Sequence, residues 1–383
     1  MLTKNIFFKN FKIKKNYPLI SNIFLAILRE ENSIIKSLKP NYLYSFKKKK
    51  ISIYKKFFNY RIIGMGGSCL GAQAIFDFLK DKIKKNFLFI NNLEKTNYEK
   101  NKKFLNLIIS KSGNTIETIV NSNILIKKKD TNIFITENKK NFLNILAQKL
   151  KAEVIHHNNF IGGRYSVLSE VGMLPAELMG LKINKFKQLN NLIKNKNFVN
   201  SLILNVSSTI YFLKKKKYNS IIINYNRDLK SLLFWYQQLI AESLGKKNIG
   251  ILPIISDMPK DNHSLMQLYL DGFKNNFFTF FYSKNNTTNK INNNLIFTSH
   301  NYLKNKNIND ILLAQKNATE KVFLKRNIPF RSFEINKRNE ESLGELFCFF
   351  ILETILLGKA LKINPYDQPS VELIKKQTKK NLI

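Results

Sequence analysis

Two cysteines, one tryptophan, eight prolines and fourteen glycines are spread over 383 residues. Cys69 and Cys348 give neither a disulfide framework nor a metal-ligand spacing, which fits a reducing cytoplasm. Arginine is scarce as well, at seven of the 64 basic residues. It is the side chain best suited to bidentate phosphate and base contacts. Long apolar runs are missing: residues 346–352 are apolar, and Glu353 ends the run. A membrane helix needs roughly 18 such residues, so no spanning segment is expected. Charges also interrupt the basic N-terminus before any signal-peptide core, and no leader is expected there.

What the chain has in excess is lysine and asparagine. With 64 basic and 26 acidic residues the formal charge is +38, and 52 residues are Asn. Lys, Asn, Ile and Phe are the residues an AT-rich genome favours. The basic tracts 47–50, 127–129 and 214–217 fall between apolar runs, where loops and solvated helix faces belong. The charge therefore reads as composition spread over a surface, not as a nucleic-acid footprint. Its field would still draw small anions. At 44% hydrophobic and 12% aromatic, the chain is globular and long enough for two or three domains.

Periodicity predicts an alternation of strands and helices. Strands are expected at 60–65, 87–90, 105–109, 133–136 and 153–156, with helices at 70–78, 115–127 and 141–150. A second alternation follows residue 180. It has strands at 220–224, 250–255, 277–282, 295–298 and 329–335, and helices at 186–214, 229–244 and 309–324. The first 55 residues read as helical segments. Two further helices, 341–361 and 370–380, close the chain, and 284–294 reads as an Asn-rich loop. The pattern is that of βαβ units and parallel sheets covered on both faces, an α/β fold.

Chemistry concentrates at strand ends. Gly64-Met65-Gly66-Gly67-Ser68-Cys69-Leu70-Gly71 lies between a strand and a helix, where glycine lets backbone N–H groups approach an anion. No Gly-Lys-Ser/Thr follows, so it is not a P-loop. Ile109-Ser110-Lys111-Ser112-Gly113-Asn114-Thr115 offers hydroxyls, an ammonium and a helix N-terminus, a cup suited to a phosphate monoester. A plain helix cap by Ser112 or Thr115 would explain the same residues. Both turns fall at carboxyl ends of strands, where open α/β sheets bind ligands. Gly162-Gly163-Arg164 adds a fixed cation, Gln238 and Glu242 share one helix face, and His263 sits in a loop.

Five stretches, 64–71, 110–118, 162–175, 237–246 with 261–272, and 364–375, together resemble the phosphoglucose isomerase family. The last begins Asn-Pro-Tyr-Asp-Gln-Pro-Ser-Val-Glu and is the most specific. The resemblance implies two doubly wound sugar-isomerase (SIS) domains with helical N- and C-terminal segments. It sets the parts at 1–55, 56–182, 183–340 and 341–383. It also implies reversible isomerisation of glucose 6-phosphate and fructose 6-phosphate in glycolysis and gluconeogenesis, through a cis-enediolate.

By position, Ser110, Lys111, Ser112 and Thr115 match the family's phosphate loop. Gly67, Ser68, Gly163 and Gln238 match sugar contacts, Glu242 the base, and Arg164 the enediolate cation. His263 and Lys375 match residues of ring opening, and the family's histidine comes from the partner subunit of a homodimer. Asn114 and Ser370 depart from the common Thr and Gly, and the N-terminal region is shorter than in most bacterial members. No metal, organic cofactor, nucleic acid or membrane is expected to take part. Two other readings keep the fold: a bifunctional phosphoglucose/phosphomannose isomerase, and a non-catalytic phosphosugar-binding regulator.

Overall fold

Short β-rich apolar runs bounded by glycine and asparagine become strands, and the longer 3.6-period runs between them become covering helices. The computed structural model describes residues 2–12, 18–94, 103–284 and 288–383. The strands are β1 (Ile6–Lys9), β2 (Asn59–Gly64), β3 (Asn86–Ile90), β4 (Phe104–Ile109), β5 (Thr131–Thr136), β6 (Glu153–His156), β7 (Asn219–Asn224), β8 (Leu252–Asp257), β9 (Asn276–Ser283) and β10 (Phe330–Ile335). They form two sheets of orders β3-β2-β4-β5-β6 and β1-β10-β9-β7-β8. The first is parallel throughout. The second is parallel except for β1, which runs antiparallel to β10.

Taken in chain order, both parallel sets repeat one winding: the second strand lies on one side of the first, and the third and fourth lie on the other. The order reverses between β2 and β4, whose loops leave toward opposite faces and open a crevice at their carboxyl ends. Gly64 pairs with Ile109 at that point, so the glycine turn and the serine turn emerge side by side.

Three expectations need correction. Residues 295–298 form no strand: they lie among 3₁₀ turns at Asn293–Leu295 and Thr298–Leu303, and Leu295 and Phe297 stay exposed. Residues 186–214 are not one helix. Leu189–Lys194 ends at Asn195, whose side chain caps Lys196–Lys214 by accepting from the amides of Asn197 and Phe198. The first 55 residues are helical at Pro18–Arg29, Ser33–Ser37 and Lys48–Ile51, but they begin with the strand β1. The polar loop 284–294 is described except at 285–287, which lie outside the described residues. Among the described residues no helix is long and apolar enough to cross a membrane.

Helix Glu340–Ala360 is buried from Ser342 to Gly358 and runs through the core, so it is not a peripheral appendage. Its Glu353 accepts from Tyr236 Oη at 3.0 Å and pairs with the buried Arg331 of β10. Tyr236 belongs to helix Lys230–Leu244, which is thereby tied to the second sheet. That helix packs on Leu70–Leu79 and brings the two sheets together.

Lys187 is buried where the N-terminal segment meets the loop beyond Arg164. Its ammonium donates to the carbonyls of Ser37 and Leu168 and lies 4.9 Å from the rings of Tyr42 and Tyr44. Burial lowers its pKa from 10.5 to about 7. Between those values the unfolded chain holds the extra proton, so the contribution of Lys187 to stability is lowest at pH 7 and below and rises as pH climbs toward 10.5. Melting midpoints measured from pH 7 to 9.5 should therefore rise relative to those of Lys187→Met. Parallel curves for the two proteins would assign the effect elsewhere.

Candidate active site

The crevice between β2 and β4 is walled by two ten-residue helices, Leu70–Leu79 and Ile116–Leu125, neither with a side-chain cap on its first amides. Thr115 does not cap its helix. Its hydroxyl lies 2.9 Å from the Oγ of buried Ser110, and Ser112 Oγ accepts from the amide of Asn114 at 3.2 Å. The capping explanation is therefore excluded for Thr115, and the N-terminal N–H groups stay available to an anion. Lys111 completes the cup, its ammonium 3.5 Å from buried Glu137.

Glycine is required in the neighbouring turn. Gly66 has φ +51°, and a Cβ there would come within 2.8 Å of Gln238 Nε2. A Cβ on Gly67 would lie 2.2 Å from the carbonyl carbon of Gly163 and 2.5 Å from the amide nitrogen of Arg164. The glycine turn, the Gly-Gly-Arg loop and helix Lys230–Leu244 thus meet at close quarters. Gly67→Ala would have to push the turn and the Gly-Gly-Arg loop apart. A loss of about 3 kcal/mol is expected, the upper end for overpacking. Denaturant unfolding read beside turnover would show both falling, and an unchanged midpoint would contradict this contact.

Arg164 is buried in this junction. Its Nε donates to Ser243 Oγ at 2.8 Å, and NH2 donates to the carbonyls of Pro365 at 2.9 Å and Asp367 at 3.0 Å. NH1 donates to the side chain of Gln368 and lies 3.5 Å from Glu242 Oε1. Gln238 Nε2 donates to Glu242 Oε2 at 3.0 Å, while Gln238 Oε1 is buried with no partner among the described residues. A carboxylate held by an amide and an arginine, beside an unused buried acceptor, can exchange a proton with a hydroxylated ligand and orient it.

Of the residues singled out from sequence, the structure gathers Gly67, Gly163, Arg164, Gln238 and Glu242 at one junction. Ser68 belongs to the same turn, and Ser110, Lys111, Ser112 and Thr115 line the adjoining one. It does not bring His263 or Lys375 to them within the chain. His263 ends the turn Lys260–His263, exposed, its side chain without a hydrogen bond among the described residues. Lys375 lies on the exposed helix Val371–Asn381, paired with Glu372 at 2.6 Å. Ser243, Lys246 and Gln368 had no role assigned from sequence. The two prolines bracketing Tyr366-Asp367-Gln368 were a sign that this stretch is held rigid, and Ser243 follows Glu242 directly. Among the described residues, no three of His, Cys, Asp and Glu converge as metal ligands.

Two like-wound sheets, with a glycine turn and a serine turn at the switch point of one, make a doubly wound α/β fold with an anion-binding crevice, as the resemblance to sugar isomerases implies. Solved structures agree on that fold. A hypothetical protein from Thermus thermophilus superposes with a TM-score of 0.81 at 22% identity, over 95% of each chain. A glucose-6-phosphate isomerase from Chlamydia trachomatis superposes with 0.70 at 17% identity, over 94% of this chain and 77% of that one. The chain belongs to the phosphoglucose isomerase family, whose model matches residues 47–258. Among its relatives, the glucose-6-phosphate isomerase of Methanocaldococcus jannaschii is 34% identical over 338 residues, spanning 83% of this chain and 82% of that protein.

Proposed function

We propose that this chain interconverts glucose 6-phosphate and fructose 6-phosphate, the aldose–ketose isomerisation for which its relatives are named. The observation that carries the reading is the placement of Glu242 within 3.5 Å of buried Arg164, under the glycine turn and beside the phosphate cup. Isomerisation moves one proton between C2 and C1. One carboxylate can take that proton and return it, so Glu242 suffices as the base. Arg164 supplies a charge to the enediolate oxygens. Ser110, Lys111, Ser112 and Thr115 hold the phosphate, and Gly67, Ser68, Gly163 and Gln238 line the sugar.

His263 and Lys375 open the sugar ring in this reading. As the resemblance implies, His263 serves a neighbouring site in a cytoplasmic homodimer, a reading supported by its exposure and its lack of contact with Glu242 among the described residues. The site takes no nucleic acid, and the surface lysines raise the local concentration of anionic substrate. A non-catalytic regulator would need the phosphate cup but not Glu242 and Arg164 in contact.

The test is a coupled assay of fructose 6-phosphate conversion by the purified protein, with mannose 6-phosphate alongside. Glucose 6-phosphate should form, and turnover of mannose 6-phosphate should be at least tenfold slower. Equal rates would establish the bifunctional reading, and no product from either would leave the regulator.

A further inference from the structure

Lys246 lies just beyond helix Lys230–Leu244 and has no part in the mechanism above. Its ammonium donates to the carbonyl of Asn364 at 2.6 Å and pairs with Asp367 Oδ1 at 2.8 Å. Its side chain is 12% exposed against 51% for Asp367, so the pair closes the outer side of residues 364–368. From its inner side, the same short strap supplies most of what Arg164 holds: two backbone carbonyls on NH2 and the Gln368 amide on NH1. Tyr165 Oη also donates to the carbonyl of Pro365, at 3.0 Å.

A guanidinium is planar and carries five N–H groups. With Nε fixed on Ser243 and both NH2 hydrogens fixed on the strap, the plane is set, and NH1 alone faces Glu242. The direction of NH1 therefore depends on where the strap sits. Asn364 and Asp367, the two strap residues that Lys246 holds, flank Pro365 and Tyr366, and both acceptors of NH2 lie in this run.

We infer that Lys246 is a positioning residue: it latches the strap 364–368 so that NH1 of Arg164 points at the developing enediolate. The inference rests on the reading of Arg164 as the enediolate cation. Lys246 touches no reacting atom in it. A misplacement of about 1 Å can cost on the order of 10²-fold in rate, which sets the scale of the effect.

Lys246→Met should lower kcat by about 10- to 100-fold while KM for fructose 6-phosphate changes less than about threefold, because Lys246 contacts the strap and none of the phosphate-cup residues among the described residues. Lys246→Arg should restore most of the loss, since it keeps the charge and the reach. Asp367→Asn removes the ion pair from a half-exposed site and should show the same kcat-weighted loss, smaller in size. It serves as the second variant if Lys246→Met folds poorly.

The decisive comparison is a double-mutant cycle. If Lys246 acts through Arg164, then Lys246→Met added to Arg164→Lys should cost less than about threefold further. An undiminished kcat in both Lys246→Met and Asp367→Asn, or losses that multiply in the double mutant, would overturn the latch. A fully active Arg164→Lys protein would instead overturn the assignment of Arg164, and the latch with it.

Discussion

Glu242→Gln should lower turnover by about 10²- to 10⁴-fold, the usual contribution of a positioned general base. The change keeps the shape of the side chain and an oxygen to accept the bond from Gln238, which is 3.0 Å long in the native protein. It also leaves Arg164 with its four anchors on Ser243, Pro365, Asp367 and Gln368. The fold and the affinity for phosphorylated sugars should therefore change little, and the loss should appear in kcat. Exchange of the substrate C2 hydrogen with solvent reads the proton transfer itself. Washout of tritium from C2-labelled glucose 6-phosphate should disappear with turnover. Washout at the native rate would mean that another group takes the proton.

A mixture of two inactive chains should recover about a quarter of native activity, if His263 of each chain completes the site of the other. Glu242→Gln and His263→Ala homodimers should each be nearly inactive. In a mixed dimer one site collects both substitutions, and the other receives an intact Glu242 and an intact His263. Random reassortment makes half of the dimers mixed, with one working site of two in each. The purified variants would be unfolded together, refolded, and compared with each refolded alone. No recovery despite demonstrated mixed dimers would show that each site is built within one chain. The exposed position of His263 and its lack of partners among the described residues motivate the experiment.

The alternation of periods made the strands legible, because parallel strands buried on both faces are short apolar runs such as Ile133-Phe134-Ile135. It failed at 295–298, where Leu295, Ile296 and Phe297 imitate such a run without a sheet to join. It also missed the break at Asn195, because the hydrophobic spacing continues across it and only the capping side chain marks the new start. Ile6–Lys9 was unreadable as a strand for a different reason. Four residues carry almost no pattern, and their partner lies more than three hundred positions away. At the site, glycines and hydroxyls at strand ends announced the two turns. The strap showed itself in the resemblance and in its two prolines, but its contacts with Arg164 were not legible, since backbone carbonyls, which any residue has, make most of them.

The antiparallel strand β1 also bears on how the chain reaches its final form. Ile6 pairs with Ile335, and Thr3 and Asn5 donate to Glu345, at 2.7 and 2.9 Å. Strand β1 therefore has no strand to pair with until β10 has been made. The first sheet, whose strands all lie between 59 and 156, can close during synthesis. The second stays open at β9 until β10 emerges, an edge that invites pairing with other nascent chains. This contact of very high sequence separation places docking of β1 among the last events of folding. Shielding of that edge is thus delayed until residues 330–335 have been made.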